Sequence, residues 1–166
     1  MGSRIVLCGE IHLSKEAFER AQDTNLIELF YEDPDDEVSF HPKGVTAKTL
    51  FAPSEKKYLK WARNSYEPDT ARWVMSASLH DDDWQNADPE MLTEALAQLK
   101  DREGSDLVVA FTQWNQEFDG AWRIDRGRVT AFEKPPPLPD EVKRHLEKGA
   151  IEKAVVGLRS LFALQT

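Results

Sequence analysis

The sequence predicts an α+β protein, with a mainly antiparallel sheet covered by helices. Three observations point there. Several stretches alternate apolar and polar residues with a period of two, as half-buried strands do. Between them stand helix start signals at Ser14, Pro89 and Pro139. Towards the C-terminus, three strand-like stretches follow one another across short turns, which is a meander rather than a βαβ crossover. The predicted order is β-α-β-β-α, then β-α-β-β-β-α, within one domain over 1–166 whose halves, 1–66 and 67–166, run through similar elements.

Residues 4–13 form the first strand. Ile5, Leu7, Ile11 and Leu13 share one face with Gly9, and Val6, Cys8, Glu10 and His12 share the other. Ser14 caps a short helix carrying Ala17, Phe18 and Ala21. Leu26 to Tyr31 reads as a second strand and Glu37 to His41 as a third. They are joined in a hairpin by the turn-forming Glu32-Asp33-Pro34-Asp35-Asp36. Residues 45–53 carry no clear pattern. Ser54 then caps a helix reaching Asn64, with Tyr58, Leu59, Trp61 and Ala62 on its apolar side.

Ala71 to His80 is a strand with Trp73, Met75, Ala77 and Leu79 alternating, followed by a loop over 81–88. Pro89 opens a helix along which Leu92, Leu96 and Leu99 recur at helical spacing, and Gly104 stops it. The meander comprises Leu107–Gln113, Ala121–Asp125 and Arg128–Glu133. Three prolines, 135–137, form a stiff connector. A last helical region runs from Asp140 to about Leu164, broken at Gly149, with Ile151, Val155, Leu158 and Phe162 as its apolar stripe.

The 166 residues carry 30 acidic and 21 basic side chains, a formal charge of −9. Duplex nucleic-acid binders neutralise phosphates with a basic face, so the charge argues against that class. The single cysteine, Cys8, forms neither an internal disulfide nor a multi-cysteine zinc site. No window reaches the ~18 apolar residues of a membrane span, and the N-terminal apolar stretch is too short for a signal peptide. The expectation is a soluble cytoplasmic protein without a membrane or nucleic-acid partner.

Chemistry has few footholds. The phosphate-binding loop, the dinucleotide-binding glycine pattern, the H-E-x-x-H zinc motif and the nucleophile elbow are all missing, and no cofactor is expected. His80-Asp81-Asp82-Asp83-Trp84 places an imidazole and three carboxylates at a strand end, a donor set that suits a hard divalent cation. Three adjacent aspartates cannot all face one ion, so such a site needs Glu10 or His12 as well; the plainer reading is a solvated acidic loop. Glu10 and His12 lie two apart on one strand face, where a carboxylate beside an imidazole suits acid–base chemistry. Cys8 shares that face, but a flat row on one strand makes a poor triad, and a half-buried strand with a polar end is the plainer reading. Arg123, Arg126 and Arg128 surround one turn and suit a phosphate or carboxylate, but with Asp125 among them the plainer reading is a solvated turn with local pairing. Trp73 and Trp122 belong in the core, whereas Trp84 and Phe118 fall in expected loops, where exposed aromatics serve as interface anchors.

Eight of the 30 acids sit in two short stretches, Glu32–Glu37 and Asp81–Asp83, and the other 22 nearly balance the 21 bases. The leading expectation is therefore a non-enzymatic protein-binding module. It would present Asp33, Asp35, Asp36, Asp81, Asp82 and Asp83 to a basic partner protein, with Trp84 or Phe118 as anchor. This small, acidic, α+β profile resembles that of bacterial immunity and antitoxin-type proteins, which neutralise a basic toxin by binding; the resemblance is of profile and rests on no motif. The alternative is a metal-dependent hydrolase built on His80, Asp81 and Asp83 with Glu10 and His12. A third reading is a subunit that forms a homodimer through the apolar side of the C-terminal helix.

Overall fold

A six-stranded antiparallel sheet with strand order β2-β3-β1-β4-β5-β6 organises the chain. The computed structural model describes residues 4–26, 29, 46–51, 62–80, 89–112, 116–125, 127–134 and 136–163. The strands are β1 (Arg4–His12), β2 (Arg63–Glu67), β3 (Arg72–His80), β4 (Ser105–Thr112), β5 (Phe118–Asp125) and β6 (Arg128–Ala131). The helices are α1 (Lys15–Asp23), α2 (Ala47–Leu50), α3 (Pro89–Gln98), α4 (Asp140–Glu147) and α5 (Ile151–Ala163). The expected α+β class is what the structure shows, with one sheet drawing strands from both halves of the chain.

The alternation in β1 decides how the layers form. Leu7 and Ile11 point to one side, where they meet Trp73, Met75, Val108, Ala110, Trp122 and Ile124 beneath α1, α2 and α3. Val6 and Cys8 point to the other side and join Val74, Leu107, Val109, Phe111 and Ala121 beneath α4 and α5. A central strand buried on both faces has no wet face, and Leu7, Cys8 and Ile11 are fully buried. Each such Leu or Ile contributes roughly 1.5–3 kcal/mol of burial energy. Gly9 is required where β1 crosses β4: a Cβ there would stand 2.7 Å from the Leu107 carbonyl oxygen and 2.8 Å from the Val108 side chain.

The helix start signals act as expected. The Ser14 hydroxyl accepts the Ala17 amide at 3.1 Å and donates to Asp101, whose carboxylate also receives the Ser14 amide at 2.8 Å. Desolvation pushes the Asp101 carboxyl up, but the two bonds from Ser14, a bond from its own backbone N–H and the nearby Arg102 charge together hold the group below its usual value. Gly149, at φ 74°, separates α4 from α5 in a conformation that suits glycine. The stripe Ile151, Val155, Leu158 and Phe162 is buried against the sheet. That corrects the dimer reading: the apolar side of this helix is used within the monomer and is not available to a second copy.

Two further expectations change. The helix expected to reach Asn64 cannot do so, because Arg63 and Asn64 begin β2, the edge strand paired with β3. Asn64 is held there by its side chain, accepting the Trp73 indole N–H at 2.7 Å and donating to Gln22 at 2.6 Å. Leu26, expected to open a strand, lies buried in a turn after α1. The remainder of that helix, and most of the expected hairpin between 26 and 41, lie outside the described residues.

Candidate functional site

A linked cluster of ionisable groups forms where β1 ends. The β1–β4 ladder stops at Glu10↔Leu107. Just beyond it, the Asp106 carboxylate takes over the missing partner, accepting the His12 backbone N–H at 2.9 Å. Its other oxygen meets His12 Nδ1 at 2.5 Å. Lys100 comes from the segment after α3, and its ammonium lies 2.6 Å from Asp106, with both side chains fully buried. That ammonium also donates to the Gly104 carbonyl.

A second set adjoins the first. Glu10, buried among the strands, is paired with Arg72 of β3 at 2.6 Å and with Arg159 of α5. The same Arg72 donates through Nε to His12 Nε2 at 2.9 Å. An arginine N–H only donates, so Nε2 is the acceptor, and the ring proton sits on Nδ1, donated to Asp106. His12 is thereby a neutral bridge between the two ion pairs, with both ring nitrogens engaged. Two carboxylates, Glu10 and Asp106, face three cations, Lys100, Arg72 and Arg159. Buried charges persist only when paired and hydrogen-bonded in this way.

The arrangement holds the ends of β1, β3 and β4 and the last helix together. As it stands it has no unengaged base: proton transfer through His12 would require Arg72 to leave. The row Cys8, Glu10, His12 does not form a thiol triad, since Cys8 sits among apolar side chains and desolvation pushes its thiol up to about 12.

Register also separates the residues of the metal reading. His12 pairs with Arg72 at one end of the β1–β3 ladder, and His80 pairs with Arg4 at the other. Eight residues of strand, roughly 27 Å, lie between them. Glu10 and His12 therefore cannot join His80 on one ion. Among the described residues no group of three or more His, Cys, Asp or Glu is placed to hold a metal.

Of the residues expected to bind a partner, Asp33, Asp35, Asp36, Asp81, Asp82, Asp83 and Trp84 lie outside the described residues, as does Arg126. Phe118 is described. It opens β5 rather than standing in a loop, is half-buried, and packs edge-on to Phe162 at 5.5 Å. The described residues bracketing the acidic stretches are also placed. Leu29, before the first, accepts a hydrogen bond from Gln98 at the end of α3. Pro89, after the second, begins α3. These anchor points stand at opposite ends of a ten-residue helix, about 15 Å apart.

Strand spacing pairs Glu10 with His12 but does not reveal Arg72, Lys100, Asp106 and Arg159. A weak signal existed: Asp106 heads the apolar run Leu107–Phe111, where a lone carboxylate must find cations once the strand is buried. Comparison with family models, with curated protein sequences and with solved structures finds no match to the chain. No helix among the described residues is long and apolar enough to cross a membrane.

Proposed function

We propose that the protein is a binding module that recognises a basic protein partner through its two acidic stretches, Glu32–Glu37 and Asp81–Asp83. The observation that carries this reading is the division of charge. The ionisable groups clustered at the end of β1 are committed to one another, with both His12 nitrogens engaged. The unbalanced charge lies instead in the two stretches, without which acids and bases nearly cancel. Concentrated like charge steers association with an oppositely charged partner and selects against acidic ones. The profile shared with immunity and antitoxin-type proteins agrees with this, as neutralising a basic toxin is one use of such a surface.

Because Leu29 and Pro89 lie at opposite ends of α3, the two stretches are tested separately. One variant carries Asp33→Asn, Asp35→Asn and Asp36→Asn, the other Asp81→Asn, Asp82→Asn and Asp83→Asn. Slower association with the basic partner in either variant supports the proposal; unchanged association in both removes it. The hydrolase reading, now confined to His80, Asp81 and Asp83, is addressed by following thermal stability in magnesium, manganese and calcium.

A further inference from the structure

Beside the charged cluster, between the C-terminal half of α5 and strands β4 to β5, lies a groove of about 320 Å³. Among its lining residues are Ser105, Asp106, Arg123, Phe132, Arg159 and Phe162. We propose that this groove binds a small organic oxyanion, a carboxylate or phosphate ester on a flat apolar body. This goes beyond recognition of a protein partner and does not depend on it.

The cross-strand register builds the site. Glu10, Leu107 and Arg123 stand side by side on β1, β4 and β5, so all three face α4 and α5. Arg159 reaches down from α5 and spends one nitrogen on Glu10. A guanidinium has five N–H donors, which leaves others to face the groove. Arg123 is half-buried and has no carboxylate partner among the described residues. Its guanidinium carbon stands 5.3 Å over the Phe132 ring. Among the described residues this arginine rests on an aromatic face and on no carboxylate, so its N–H donors can be offered to an anion.

The two buried carboxylates, Glu10 and Asp106, do not repel an anion strongly, because they are already neutralised. Asp106 is held by Lys100 and His12, and Glu10 by two arginines. With Arg123 added, four cations stand against Glu10, Asp106 and the exposed Asp125, which pairs with Ser105 two residues along β5 from Arg123. Two guanidiniums offer the planar, multidentate recognition that carboxylates and phosphates favour. Phe132 and Phe162, 4.7 Å apart, supply the apolar wall for the ligand body. The volume falls at the lower end of the ~300–1,000 Å³ typical of ligand pockets, which limits the occupant to a short-chain or single-ring acid.

The test titrates the full chain with benzoate, phenyl phosphate, benzamide and inorganic phosphate, read by amide chemical shifts. Benzoate or phenyl phosphate should saturate with Kd near 1 mM, with the larger shifts around Arg123 and Arg159. Which of the two binds tighter distinguishes a carboxylate ligand from a phosphate ester. Benzamide and inorganic phosphate should bind at least about tenfold more weakly, lacking respectively the charge and the apolar body. Arg123→Gln should weaken the anion by about tenfold, Arg123→Lys should recover only part of that loss, and Arg128→Gln should leave binding as in the parent. The proposal is overturned if neither organic anion saturates, if benzamide or inorganic phosphate binds equally well, or if a folded Arg123→Gln variant binds like the parent.

Discussion

Replacing Asp106 by alanine should be among the most damaging single changes in this protein. The carboxylate accepts the His12 amide at 2.9 Å, the His12 ring at 2.5 Å and the Lys100 ammonium at 2.6 Å. Removing it leaves a fully buried ammonium with only the Gly104 carbonyl, and two His12 donors without an acceptor. Breaking a buried ion pair by removing one partner costs about 3–5 kcal/mol. At about 2–4 °C per kcal/mol for a chain of this size, the melting temperature should fall by roughly 6–20 °C. Lys100→Met is milder, because Asp106 keeps both His12 donors; a loss of about 1–3 kcal/mol is expected. In urea denaturation the double variant should lose less than the two single losses combined, since Asp106→Ala harms chiefly by stranding the charge that Lys100→Met removes. A loss under about 1 kcal/mol for Asp106→Ala, or a cycle additive within about 0.5 kcal/mol, would refute this account of the network.

Three further outcomes follow from the same geometry. Cys8 should be inert to thiol reagents in the native state and react only on unfolding, its labelling tracking global opening. Burial raises its thiol from 9.0 to about 12, so its contribution to stability is complete below pH 9 and declines as pH rises towards 12. A Cys8→Ala variant should lack that part of the decline, about 1.4 kcal/mol per pH unit, in a comparison of the two denaturation profiles. Gly9→Ala should destabilise by about 1–3 kcal/mol, because its new methyl meets the Leu107 carbonyl and the Val108 side chain; a neutral result in calorimetry would mean the strands separate easily. Magnesium, manganese and calcium should leave the melting temperature unchanged, and a saturable rise with any of them would favour the hydrolase reading.

The parts of the fold that could be read in advance are those governed by local rules. Alternation located β1, β3 and the meander, and Ser14, Pro89 and Gly149 marked helix ends because caps act within a few residues. Strand β2 escaped because Arg63-Asn64-Ser65-Tyr66-Glu67 lies on a sheet edge and lacks an apolar stripe; its pairing with β3, not its composition, makes it a strand. The site was half legible for a similar reason. Glu10 and His12 share a strand, so spacing reveals them. Asp106 and Arg159 lie 94 residues from His12 and 149 from Glu10, respectively, and only sheet order and helix placement bring them in. Phe118 was expected in a loop because Asp119-Gly120 reads as a turn, yet Gly120 lies within β5, where a Cβ would run into the Trp122 ring.

The central claim is that the two acidic stretches carry recognition. Its most direct test is the salt dependence of association with a purified basic partner. The parent chain is compared with a variant carrying Asn at 33, 35, 36, 81, 82 and 83. Association of the parent should weaken steeply as salt rises past the ~10 Å screening length reached at 0.1 M, while the sixfold variant should bind more slowly and respond far less to salt. Equal association rates with equal salt slopes for the two proteins would contradict the claim.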